Sequence, residues 1–166
     1  MSKTKYVVMT GFVDYAKVFP QNMDDNMDFH KETQGQFNMN FYPETEEDLQ
    51  RFFDAGVAHE VLGNSTIKSG DSEIGMGKYI KLKRPNVHKS GIEDFGGAPK
   101  VFDHRAGDST KQWDVAEDGE LGSRSRVKVK VSVYGSGPRA VVRLERIAVL
   151  ELQKWERPED DGVERF

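Results

Sequence analysis

The chain has 166 residues, 31% of them charged and 36% hydrophobic, with 24 Lys and Arg against 28 Asp and Glu for a formal net charge of −4. That length suits one domain with a real core. The absence of cysteine excludes a disulfide framework, a thiolate metal site and a cysteine nucleophile. No apolar run reaches membrane-spanning length, and the opening Met-Ser-Lys-Thr-Lys-Tyr-Val-Val lacks the apolar core of a signal peptide.

In chain order, Tyr6–Val13 reads as the first strand and Gln36–Tyr42 as the second, because Phe37, Met39 and Phe41 alternate with Gln36, Asn38 and Asn40. Pro20–Gly35 between them is polar and loop-like. Pro43 stops the second strand, and Thr45 with Asp48 predicts an N-cap pair opening a short helix. Leu49, Phe52 and Phe53 give that helix an apolar stripe for the core, and Gly56 suits its C-terminal end. Lys78–Arg84 is the third strand, with Ile80 and Leu82 on one face and Tyr79, Lys81 and Lys83 on the other; Pro85 ends it. Asn86–Gly122 is rich in Gly, Asp and Pro and predicts long loops, with a short extended piece at Lys100–Asp103.

The fourth strand, over residues 125–134, carries the strongest pattern in the chain. Val127, Val129, Val131 and Val133 point one way, and Arg126, Lys128 and Lys130 the other. A row of like charges repels itself, and a polyanion laid across it relieves that repulsion. Gly135-Ser-Gly-Pro138 then predicts a turn, and Ala140–Leu152 the returning hairpin strand.

The net charge conceals a segregation of sign. Residues 1–60 hold Asp14, Asp24, Asp25, Asp28 and the cluster from Glu44 to Asp48, whereas residues 124–146 hold Arg124, Arg126, Lys128, Lys130, Arg139, Arg143 and Arg146 against Glu145 alone. The end is acidic again, with Glu156, Glu159, Asp160, Asp161 and Glu164. It cannot bury enough apolar area to order itself, so a flexible tail is expected.

Basic residues interleave with aromatics in three sets: Tyr79, Lys81, Lys83 and Arg84; Phe102, Arg105 and Trp113; and Arg124, Arg126, Lys128, Lys130 and Tyr134. Cations that follow phosphates and rings that stack on bases are what single-stranded nucleic acid requires. Two other chemistries are weaker. Asp14, Asp24, Asp25 and Asp28, or Asp103 with His104, could hold magnesium in a nuclease, but their spacing matches no metal loop. His30, His59, His88 and His104 lack zinc spacing, and Gly75-Met-Gly-Lys78 precedes a strand instead of opening a phosphate-binding helix. No metal and no cofactor is expected.

Four segments, Gly11-Phe-Val-Asp-Tyr-Ala-Lys-Val-Phe-Pro20, Gln36–Pro43 with the acidic helix after it, Gly97-Ala-Pro-Lys-Val-Phe-Asp103 and Leu121-Gly-Ser-Arg-Ser-Arg-Val-Lys-Val129, carry a further signal. Through them the chain resembles the single-stranded DNA-binding proteins of tailed bacteriophages. Where such proteins usually have a Gly-Asn-Gly-Ser-like turn before the valine strand, this chain has Gly122-Ser-Arg-Ser125. The resemblance implies an OB-fold and adds Tyr15 and Phe19 to Tyr79 and Phe102 as rings lining a DNA groove. It also implies that the tail, through Asp160, Asp161, Glu164 and the terminal Phe166, docks on replication partners such as a polymerase or helicase-primase; Arg165 departs from that pattern.

The expectation is therefore a mainly β protein, a five-stranded, partly open OB-fold barrel with one short α-helix and long loops. It spans residues 1–155, followed by an acidic tail over 156–166. It is expected to be a non-enzymatic, stoichiometric coat for single-stranded DNA in phage replication, recombination and repair, located in the host cytoplasm, with a homodimer left open. The alternatives are a structural or virion barrel, the nuclease, and an RNA-binding barrel, which stacking and phosphate contacts alone do not distinguish.

Overall fold

The computed structural model describes residues 4–153, apart from 27, 29, 30, 58, 59, 62, 63, 66, 89, 109, 136, 138 and 139. The expected tail with Asp160, Asp161, Glu164 and Phe166 lies outside the described residues, as do Arg139, His30 and His59.

The protein is mainly β. Strands β1 (Lys5–Lys17), β2 (Gln36–Pro43), β6 (Lys78–Pro85), β8 (Arg126–Tyr134) and β9 (Val141–Glu151) are the long ones. Between them lie helix α1 (Glu46–Asp54), the short strands β3 (Glu60–Val61), β4 (Asn64–Ser65), β5 (Lys68–Ser69) and β7 (Lys100–Asp103), and the one-turn helix α2 (Val115–Asp118). One sheet runs β5-β6-β2-β1-β8-β9-β7, and β3 pairs with β4 separately. Its five long strands are those read from the sequence. The short ones at 60–61, 64–65 and 68–69 were not legible there, because a two-residue strand has no period.

Strand β1 is the spine. Its first part, Lys5–Phe12, pairs with β8 and its second, Gly11–Lys17, pairs with β2, both antiparallel. The change of partner occurs at Gly11, where an added Cβ would lie 2.1 Å from the carbonyl oxygen of Tyr42. Only a residue without a side chain lets the two backbones approach so closely.

The valine face of β8 goes where the alternation requires: Val127, Val129, Val131 and Val133 are fully buried, with Met9, Val13, Phe41, Leu82, Leu144 and Ile147 around them. Helix α1 closes one end of this core with Leu49 and Phe52. Thr45 caps it by accepting from the Asp48 N–H. The reciprocal half of the cap does not form, since the Asp48 carboxylate instead accepts from the Thr10 N–H at 2.8 Å and from Arg51. The acidic first turn of α1 thereby ties the helix to β1.

Between β6 and β9 the sheet curls toward closure, and side chains bridge the seam. Arg84, at the end of β6, faces inward and is buried. Its guanidinium donates to the carbonyls of Gly97 (2.9 Å), Gly96 (3.1 Å) and Leu144 (3.5 Å) and to Glu145 Oε2 (3.2 Å). This makes the barrel partly open and laced at its gap. Arg84→Met should lower stability by about 3–5 kcal/mol, the range for removing one partner of a buried ion pair, read as a reduced urea midpoint. A midpoint equal to the parent's would show that the seam holds without the clasp.

Candidate nucleic-acid interface

The outer face of β1, β8, β9 and β7 is built in rungs. One runs Thr10, Lys128, Ala148, Phe102; the next runs Val8, Lys130, Arg146, Lys100; the third runs Tyr6, Ser132, Arg143. Arg143 and Arg146 are three residues apart, which in a regular strand would put them on opposite faces. They share a face because β9 is bulged: Lys130 pairs with Arg146 but Val131 pairs with Leu144, leaving Glu145 as the extra residue.

Three cations on this face lie near rings. Lys130 Nζ is 4.9 Å from the Tyr6 ring centre, the Arg143 guanidinium 4.1 Å from that of Phe95, and the Arg146 guanidinium 5.9 Å from that of Phe102. Tyr6 and Tyr134 are exposed by 60% and 55%. A depression of about 320 Å³ is walled by Val8, Phe102, Lys128, Lys130, Arg146 and Ala148. A second, of about 810 Å³, adjoins it along the strands beside Tyr6, Phe95, Tyr134, Val141 and Arg143. Together they form a groove in which Lys128, Lys130, Arg143 and Arg146 supply positive charge, with Glu145 3.7 Å from Arg143 in the second depression, and in which the rings offer stacking surfaces, a combination suited to phosphates and bases.

Of the residues singled out in the sequence, Lys128, Lys130, Phe102 and Tyr134 meet in this groove. Tyr79, Lys81 and Lys83 lie elsewhere, on the outer face of β6, which β2 and β1 separate from β8. There Lys83 and Lys81 stand exposed opposite Asn38 and Asn40, and the Tyr79 ring is 5.4 Å from that of Tyr42. Tyr15 is 73% exposed at a bulge in β1, with φ 49°, on the part of the strand that pairs with β2.

Three of the expected DNA contacts are buried. Arg84 is the buried clasp of the seam. Phe19 is a core residue at 6% exposure and offers no face to a base. Trp113 is likewise buried, its Nε1 donating to the Gly119 carbonyl at 2.9 Å. Arg105 covers that indole at 4.6 Å and donates to both Asp103 oxygens (2.9 and 2.8 Å) and to Asp118 (3.2 Å), pinning the 103–118 loop. Two more arginines are engaged by carboxylates: Arg126 makes a two-point pair with Glu44 at 3.0 Å, and Arg124 reaches Glu73 (3.2 Å) and Asp71 (3.3 Å). These hydrogen bonds raise both guanidinium pKa values further.

Tyr6, Phe95, Arg143 and Arg146 were missed as a set. Tyr6 shares its parity with Val8 and Thr10 and was legible in principle, whereas the two arginines were hidden by the bulge. Three of the carboxylates considered for magnesium are engaged separately: Asp14 accepts from Ser123 and the Tyr15 N–H, Asp24 from Asn38 and the Asn26 N–H, and Asp103 from Arg105. Among the described residues no three His, Asp or Glu side chains converge as a metal site. No described helix is long and apolar enough to cross a membrane.

No family model matches the chain, and no curated protein matches it. Its fold is similar to that of the single-stranded DNA-binding protein from bacteriophage Enc34, at a TM-score of 0.51 over 95% of this chain and 87% of that one, with 11% sequence identity. The likeness is one of architecture and bears out the OB-like fold.

The side-chain hydrogen bond from Arg105, and then its backbone N–H, lower the Asp103 carboxyl pKa from 3.8 to about 2. A depressed carboxyl stabilises the folded state above its unfolded pKa, and this contribution is lost as the pH falls from 3.8 toward about 2. Arg105→Gln should return the Asp103 titration, followed by carboxyl carbon NMR, toward 3.8. An unmoved titration would contradict the pairing.

Proposed function

We propose that this protein coats single-stranded DNA without strong sequence preference, along the groove formed by β1, β8, β9 and β7. The observation that carries the reading is that Lys128, Lys130, Arg143 and Arg146 share one outer face with Tyr6, Phe95 and Phe102, each of three of these cations set near a ring. Phosphates neutralise the cations and bases lie on the rings, neither of which reads sequence. The fold likeness to a phage single-stranded DNA-binding protein supports the same reading. The protein acts by binding alone, and its setting is phage DNA replication, recombination and repair. The acidic tail ending in Phe166 recruits replication enzymes, and by competing for the basic groove at low salt it is released when DNA arrives.

The test is fluorescence anisotropy of a labelled poly-dT oligonucleotide at two salt concentrations, with duplex DNA and RNA of equal length as competitors. Salt-sensitive binding that favours the DNA single strand is expected. Changing Lys128 and Lys130 together to Glu should reduce the log–log salt slope by roughly 1.4, at roughly 0.7 per phosphate contact on a single strand. Tyr6→Ala should cost about 1–3 kcal/mol of binding if its ring stacks on a base. Equal affinity in all three proteins would move the interface off this face. No binding by the parent at low salt would favour a structural barrel.

A further inference from the structure

The depression between Phe102 and Lys128 is a built concavity within the groove. On its rung the outward side chains run Lys128, Ala148, Phe102, so a methyl group stands between a long cation and a ring. Val8 on the neighbouring rung is also short, beside Lys130. The two short side chains set the floor, while Phe102 and the stems of Lys128, Lys130 and Arg146 raise the walls. The resulting space of about 320 Å³ is at the small end of ligand sites and has room for one planar base.

An anion already lies beside this space. The Asp108 carboxylate, on the 104–108 turn, is 3.5 Å from Lys128 Nζ and 3.6 Å from His104 Nδ1, although 91% of its side chain is exposed. An exposed carboxylate gains little from such a pair and is readily exchanged for another anion. Lys128 and His104 both line the depression as well.

We infer that this depression is an anchor for one nucleotide, the base entering over Ala148 between Phe102 and Lys128 and its phosphate taking the place that Asp108 holds beside Lys128. This rests on the DNA-binding reading and deepens it: along a groove that is otherwise tolerant, one position takes a base edge-on into a pocket. Oligonucleotides then register on the protein at that nucleotide. Asp108 acts as a weak internal competitor, strongest at low salt.

The experiment uses the full-length chain and labelled dT oligonucleotides. Ala148→Phe fills the pocket without altering charge, so affinity should fall tenfold or more with the salt slope unchanged. Asp108→Asn removes the competing anion and should tighten binding about threefold at low salt. Parent-like affinity in Ala148→Phe, with circular dichroism and thermal midpoint also parent-like, overturns the anchor and leaves the coating reading intact. Failure of the parent itself to bind overturns the coating reading and the anchor with it. Should Ala148→Phe not fold, amide NMR of the parent decides: dT should shift the signals of Val8, Lys128 and Ala148, and silence at these three overturns the anchor.

Discussion

A single extra residue, Glu145, sets much of what this barrel does. Strand β9 accommodates it as a bulge opposite Lys130 and Val131, and two consequences follow from one local irregularity. The phase of the strand slips, so that Arg143 and Arg146 both face outward while Leu144 and Ile147 remain fully buried. The displaced carboxylate also ties the β6–β9 seam, accepting from Arg84 at 3.2 Å, and accepts from Ser132 Oγ on β8 at 2.8 Å. Bulges bend a strand and increase its twist, which a sheet needs in order to curl far enough for β6 to approach β9. Closure of the barrel and assembly of the cationic face are thus coupled through the same position.

The division of labour between arginine and lysine follows from their chemistry. Guanidinium groups make two-point bonds with carboxylates and bridge several carbonyls at once, so they are suited to holding loops and seams. Arg84, Arg105, Arg124 and Arg126 do so here, each with at least one carboxylate partner. Lysine is a mobile point charge with little to gain from a fixed surface pair. Lys81, Lys83 and Lys130 stay on outer faces, and Lys128 makes a loose contact with Asp108. Counting basic residues along the chain therefore overstates the arginine part of the interface.

Much of the fold was legible because its long strands have clean periods. The Val127–Val133 alternation placed β8, Pro43 and Pro85 ended their strands, and Thr45 opened α1. The candidate site was less legible because alternation assigns a face but not a neighbour. Tyr79 and Lys128 both point outward, yet two strands separate β6 from β8. Phe19 and Trp113 look like loop aromatics in the sequence, but a long loop that folds back over a small barrel supplies core as well as contacts. Trp113 is held this way, its backbone N–H donating to the carbonyl of Val101 in β7 at 2.8 Å.

A net charge of −4 is compatible with a polyanion-binding groove, because field depends on where charge lies and how it is paired. Many carboxylates near the basic strands are already spent on arginines or on backbone N–H groups, as Glu44, Asp103 and Asp48 are. Among the described residues, Lys130 and Arg146 on the outer face of β8 and β9 have no carboxylate within ion-pair distance, while Arg143 lies 3.7 Å from Glu145. Few strong charges spread over a groove give binding that is quickly made and quickly broken, with a modest salt slope. Rings add affinity that salt does not screen. For the proposed coat, laid down on any sequence and then removed, this balance serves where a uniformly basic barrel would not.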